Sequence, residues 1–185
     1  MIINNKSTNN IQLHPTVTKL DNPLSTEEIR ETKPNRAGYY DLEKHPITVV
    51  LDGLCNSHNI GSILRLSEAL LLEKVILCGE ANLSSKRIRK TSCGAEKWIN
   101  LETTKSTKEQ CKLLRKRGYS IVAVELSKMS LNYQEITHTY PVAFVFGSER
   151  DGIKSDILSF VDKTIHLPMY GFANSLNVSS AASVI

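Results

Sequence analysis

Val142-Ala143-Phe144-Val145-Phe146-Gly147-Ser148-Glu149-Arg150-Asp151-Gly152-Ile153 is the stretch whose reading decides the fold. Five apolar, β-favouring residues run straight into a glycine turn. A strand without polar alternation has both faces covered, as in a parallel sheet flanked by helices. Gly147 lacks a Cβ, so it reads as a point where the backbone can approach a ligand closely. Glu149 becomes a carboxylate at the carboxyl edge of the sheet, where open α/β sheets hold ligands. A capping or purely structural acid is the competing reading for Glu149.

The same pattern extends outward in both directions. Short apolar runs occur at 47–51, 75–78, 121–124 and 164–167, with a weaker one around 98–101. Helical patterns lie between most of them, at 57–72, 84–92, 106–117 and 155–161, and from 175 to the end. Apolar strands alternating with helices predict an α/β fold, a mostly parallel sheet flanked by helices. In the first of these helices, Ile60, Ile63, Leu64, Ser67, Leu70 and Leu71 form a core stripe at spacings of three and four. Arg65 projects away from that stripe, with Gly61 one turn earlier on the same side. An arginine beside a glycine notch has room for a bulky partner; otherwise it is a solvated side chain.

Residues 1–46 differ from the rest. They are rich in Asn, Thr, Pro and charge, and show little hydrophobic periodicity beyond a short helix start at Ser25 with Glu27, Glu28 and Ile29. This predicts an N-terminal arm over 1–46, flexible or substrate-binding, and a single domain over 47–185. The arm carries six basic and six acidic side chains, so the net charge of +4 lies entirely in 47–185. That mild excess is compatible with a polyanionic partner. Four cysteines, Cys55, Cys78, Cys93 and Cys111, form no C-x-x-C pair and have no histidine at zinc-finger spacing. They read as reduced thiols, which predicts no metal and a cytoplasmic location. No apolar run approaches the roughly 20 residues of a membrane span, and the polar N-terminus shows no signal peptide.

Absent motifs narrow the chemistry. No G-x-G-x-x-G follows the first strand, no G-x-x-x-x-G-K-[ST] occurs, and no G-x-S-x-G occurs. A nicotinamide or flavin oxidoreductase, a P-loop NTPase and an α/β-hydrolase are therefore disfavoured. Three segments stand out instead. Asn59-Ile60-Gly61-Ser62-Ile63-Leu64-Arg65 follows the first strand, and Gly147-Ser148-Glu149-Arg150-Asp151-Gly152 follows the all-apolar one. Leu167-Pro168-Met169 then precedes Ser175-Leu176-Asn177-Val178-Ser179 and a small-residue run, Ser180-Ala181-Ala182-Ser183. Capping is the default explanation for Ser175 and Asn177 at a helix start.

In this order, at these strand ends, the three motifs resemble the SpoU branch of the SPOUT RNA methyltransferases, the tRNA and rRNA ribose 2′-O-methyltransferases. N-x-G-x-x-x-R is matched by Asn59, Gly61 and Arg65, and G-x-E-x-x-G by Gly147, Glu149 and Gly152. The proline strand with S-L-N-V-S is matched by Leu167, Pro168 and residues 175–179. The likeness covers 47–185, and Thr91-Ser92-Cys93-Gly94-Ala95 before Trp98 adds to it.

The resemblance implies a C-terminal deep trefoil knot, through which the small side chains of 179–183 would be drawn. It implies a homodimer with the active site at or near the subunit interface. It also implies S-adenosyl-L-methionine as cofactor, its adenosine contacted by the main chain at Gly147, Leu167 and Leu176. Arg65 corresponds to the family's catalytic arginine, and Asn59, Glu149, Ser175 and Asn177 to groups that position it and the loops. A guanidinium is normally always charged, so Arg65 is read as gripping an RNA phosphate and stabilising developing negative charge; a literal base role is the alternative. Lys86, Arg87, Arg89 and Lys90 form a basic cluster suited to RNA phosphates. Arg115, Lys116 and Arg117 form a second, read chiefly as a solvated helix face. Residues 91–151 look most like members acting on a guanosine of tRNA. A 23S rRNA enzyme is the close alternative, and a catalytically silent knotted RNA-binding protein a third. The final helical pattern is still running at Ile185, so the resemblance implies a short or truncated last helix.

Overall fold

The computed structural model describes residues 23–34 and 36–185. Residues 1–22 of the expected arm lie outside the described residues. The chain divides into two units, Met1–Arg36 and Ala37–Ile185. In the first, α1 (Thr26–Glu31) begins at the expected place. Ser25 caps it, and Glu28 returns a side-chain hydrogen bond to the Ser25 backbone, closing a capping box. The boundary falls ten residues before 46/47. The physical reason is aromatic: Tyr39 is buried, and its ring meets that of Trp98 edge-on at 6.2 Å.

The second unit is a seven-stranded sheet in the order β3-β2-β1-β6-β4-β7-β5, with every pairing parallel. The strands are β1 (His45–Asp52), β2 (Leu72–Cys78), β3 (Leu101–Thr104), β4 (Ser120–Val124), β5 (Leu131–Asn132), β6 (Val142–Phe146) and β7 (Lys163–His166). The helices are α2 (Ser57–Ala69), α3 (Lys86–Ser92), α4 (Thr107–Lys116), α5 (Ser155–Leu158) and α6 (Val178–Val184). β6 is buried at all five positions and lies between β1 and β4. Successive residues of β1 feed opposite cores, as strand alternation requires. Val49 and Leu51 join Ile60, Ile63 and Leu64 of α2, while Val50 joins Cys111 and Leu114 of α4. Two cores, one on each face, are why the central strands are apolar throughout.

Three local expectations are corrected. The core stripe of α2 stops at Ser67: the helix ends at Ala69, Leu70 is exposed, and Leu71 turns the chain into β2 with a φ of 52°. The weak strand expected at 98–101 lies at Leu101–Thr104, because the backbone N–H groups of Trp98 and Ile99 both donate to Ala95 O, closing a short 3-10 turn outside the sheet. The last helix begins at Val178, three residues after Ser175. Among the described residues, no helix is long and apolar enough to cross a membrane.

Candidate active site

Strands β4, β6 and β7 end side by side, and their C-terminal ends open onto a cavity of ≈ 410 Å³. Val124, Phe146 and His166, the last residue of each strand, line it. This is the ligand-binding edge of an open parallel sheet. The loop after β6 and the segment between β7 and α6 form the other walls. Gly147, Leu167 and Leu176 all lie on the lining, as do Glu149, Ser175 and Asn177.

A hydrogen-bonded chain joins all three motifs at the cavity rim. The Asn59 amide nitrogen donates to Glu149 Oε1. Asn177 Nδ2 donates to Asn59 Oδ1 at 3.0 Å. Asn177 Oδ1 in turn accepts from the backbone N–H groups of Ser179 at 2.9 Å and Ser180 at 3.4 Å, capping α6. These bonds fix both amide orientations. With its oxygen committed to the α6 cap, Asn177 can offer only its nitrogen to Asn59, whose own nitrogen must then face the carboxylate. Asn59, the middle member, is 4% exposed, while Glu149 and Asn177 at either end reach solvent. Ser175 is exposed and stands before the cap, so the capping role belongs to Asn177 alone.

Two glycines differ from expectation. Gly61 is buried, and a Cβ there would lie 2.8 Å from both Ile88 O and Thr91 Cβ. The notch is filled by α3 and offers no space to an external partner. Gly147 is likewise needed by its own chain: a Cβ would lie 2.2 Å from the Gly152 carbonyl carbon, where the 147–153 loop closes on itself. It borders the cavity, but the close approach is backbone to backbone.

Arg65 is exposed on α2 and is not part of the cavity lining. Among the described residues it takes part in no ion pair. The single chain therefore unites Asn59, Glu149 and Asn177 but leaves Arg65 apart. Lys86, Arg87, Arg89 and Lys90 are all exposed on α3, while Ile88 is buried. The Gly61 contact locks this basic helix against α2, the helix that carries Arg65. Of the second basic cluster, Arg115 is tied down by Asp162 at 2.7 Å and lies over the Phe160 ring, so it holds the fold together.

Sequence reasoning missed Glu125 and His166. Each directly follows or ends a strand run, so the rule that singled out Glu149 would have found them. The Ser130 hydroxyl donates to Ser127 O, so His166 Nδ1, 2.9 Å from Ser130 Oγ, is the donor of that pair. Among the described residues no group of three or more His, Cys, Asp or Glu side chains could hold a metal ion.

Residues 46–185 match the model of the SpoU rRNA methylase family. The chain is 34% identical over 146 residues to the tRNA (guanosine(18)-2′-O)-methyltransferase of Aquifex aeolicus, covering 78% of this chain and 69% of that one. The crystal structure of an A. aeolicus TrmH/SpoU tRNA-modifying enzyme superposes with a TM-score of 0.73 at 31% identity, covering 80% of this chain and 76% of the other. An AdoMet-bound rRNA methyltransferase from Sinorhizobium meliloti superposes with a TM-score of 0.71 at 25% identity. That overlap takes in 79% of this chain but only 57% of the S. meliloti protein.

Proposed function

Because the chain belongs to the SpoU rRNA methylase family, we propose that it is an RNA methyltransferase that moves a methyl group from S-adenosyl-L-methionine to a ribose 2′-hydroxyl, with a guanosine of tRNA as its substrate. The observation that carries this reading is the Glu149–Asn59–Asn177 chain at the cavity rim. It ties the three family motifs into one rigid edge beside a space of suitable size and chemistry. The cavity falls in the roughly 300–1,000 Å³ range of small-molecule sites. Leu126, Phe146, Leu167 and Met169 offer apolar surface for an adenine, and Ser148, Asn174 and Ser175 offer polar partners for a ribose and an amino-acid tail. The bound cofactor supplies an electrophilic sulfonium methyl group.

The chain's own residues do the rest. Glu149, Asn59 and Asn177 hold the loop after β6 and the start of α6 at fixed positions, so the cavity wall is preorganised. Exposed cations on α3 neutralise RNA phosphates and hold the substrate across α2. Arg65 grips a phosphate through its planar fork and stabilises negative charge developing on the 2′-oxygen. Its place outside the cavity of one chain supports a homodimer in which the two subunits complete each site. The family's C-terminal knot, the cytoplasmic setting and an N-terminal arm ahead of the methyltransferase domain belong to the same proposal.

The test is methyl incorporation from labelled cofactor into unmodified tRNA transcripts and 23S rRNA fragments, followed by nucleoside mass spectrometry. A 2′-O-methylguanosine in tRNA is the expected product. Methylation confined to the rRNA fragments would move the substrate assignment. Tight RNA binding with no methylated ribose in either would replace the enzyme reading with a silent RNA-binding protein.

A further inference from the structure

The cavity wall carries the opposite charge to the rest of the molecule. The chain has a net charge of +4, yet the lining holds two carboxylates, Glu125 and Glu149, and no lysine or arginine. Glu149 is committed to Asn59. Glu125 is held differently, by main chain alone. Its backbone N–H donates to Ile165 O at 2.9 Å, which sets the residue at the junction of β4 and β7. Its Oε1 accepts the Leu126 N–H at 3.0 Å and its Oε2 accepts the Ile153 N–H at 3.0 Å. A carboxylate has about four acceptor positions, so two remain, and no cation among the described residues neutralises the group. Gly152, with a φ of +63°, keeps this arrangement possible: a Cβ there would sit 2.6 Å from Glu125 Oε2.

We propose that Glu125 is a charge-reading residue of the cavity, which favours the cationic sulfonium cofactor over its demethylated product. The inference rests on the cofactor assignment made above. In the transfer, the bond between sulfur and methyl breaks, a bond between methyl and the ribose oxygen forms, and the hydroxyl proton leaves to solvent. The electron pair stays on sulfur, so the cofactor's sulfur passes from a cation to a neutral thioether. Adenine, ribose and amino-acid tail are unchanged, and the lost positive charge is the main feature by which a site can tell spent from fresh cofactor. Glu125 lies on the lining itself, so a cation held against that wall feels the anchored carboxylate directly. Backbone N–H groups hold that carboxylate in place, so it needs no rearrangement to act.

The experiment is calorimetric binding of three ligands to the full chain: S-adenosylmethionine, sinefungin and S-adenosylhomocysteine. Sinefungin carries an amine cation near the position of the sulfonium methyl. Glu125→Gln keeps the volume and removes the charge. The expected result is a fall of about tenfold in affinity for the two cationic ligands relative to S-adenosylhomocysteine. A residue that merely braces the 147–153 loop would weaken all three alike, and an unchanged ratio overturns the proposal. If Glu125→Gln does not fold, because its amide sets a donor against the Ile153 N–H, Glu125→Ala provides the same comparison without that clash. A wild-type chain that binds none of the three would overturn the cofactor assignment itself. Binding of all three with an unmoved ratio would overturn only the role of Glu125.

Discussion

Exchanging Asn59 for Asp replaces one amide nitrogen by an oxygen, and it should loosen all three motifs at once. The wild-type nitrogen donates to Glu149 Oε1, and the oxygen accepts from Asn177 Nδ2 at 3.0 Å. In Asn59→Asp the second contact survives, while the first becomes carboxylate against carboxylate. Losing a hydrogen bond to a charged group costs about 1–3 kcal/mol. Two like charges about 4 Å apart repel by about 4 kcal/mol at an effective dielectric of about 20. Glu149 is solvent-exposed, so screening removes much of that repulsion, and a net loss of about 2–3 kcal/mol at neutral pH follows. For a chain of this size that is a fall of about 4–12 °C in Tm. The loss should depend on pH with a defined sign. Two adjacent carboxylates raise the pKa of one of them in the folded state above its unfolded value of about 4. The penalty is therefore complete above the raised folded pKa, shrinks as pH falls through it, and is gone near the unfolded value. Melting curves of wild type and Asn59→Asp at pH 7.5 and pH 5 provide the measurement, with the gap narrowing at pH 5. An Asn59→Asp chain that melts with the wild type at pH 7.5, or whose deficit is the same at both pH values, would refute the placement of the Asn59 amide against Glu149.

Arg65→Ala should leave stability within about 0.5 kcal/mol, since the side chain is exposed, while methyl transfer falls by about 10²- to 10³-fold; normal turnover would reduce Arg65 to a solvated side chain. Mixing Arg65→Ala with Glu149→Ala in equal amounts tests whether Arg65 serves a neighbouring subunit: each mixed dimer then has one intact site of its two, and with about half of the dimers mixed the sample recovers about a quarter of wild-type activity, whereas a site complete within one chain recovers none. Gly61→Ala should destabilise by about 1–2 kcal/mol, because the new Cβ meets Ile88 O and Thr91 Cβ at 2.8 Å and overpacking outweighs the gain in helix propensity; a variant that melts above the wild type would show that α3 yields freely. Among the thiols, exposed Cys55 and Cys93 should react quickly with a disulfide reagent at pH 8. Burial pushes Cys78 up to about 11 and Cys111 up to about 12, so those two should react only on unfolding, and four equally fast thiols would contradict the packing of α4 on the sheet.

The order of elements and the all-apolar strands were legible in the sequence, because burial is a property that each residue announces by its own chemistry. The hydrophobic effect is non-directional, so Val142–Phe146 reads as a doubly covered strand before its neighbours are known. Motif spacing likewise put Asn59, Glu149 and Asn177 at element ends. What the linear pattern could not supply was which side chains meet. Asn59 and Glu149 stand 90 residues apart, and Asn59 and Asn177 stand 118 apart. Hydrogen bonds depend on angle and on tenths of an ångström, and only the assembled sheet with α6 laid against α2 brings these groups within range. The same holds for both misread glycines. A missing Cβ signals a close approach without naming what approaches, and tertiary packing supplied α3 at Gly61 and the Gly152 backbone at Gly147. Periodicity placed Arg65 off the core stripe, but it took the three-dimensional arrangement to show the arginine outside the cavity and to set Glu125, passed over in the sequence, inside it.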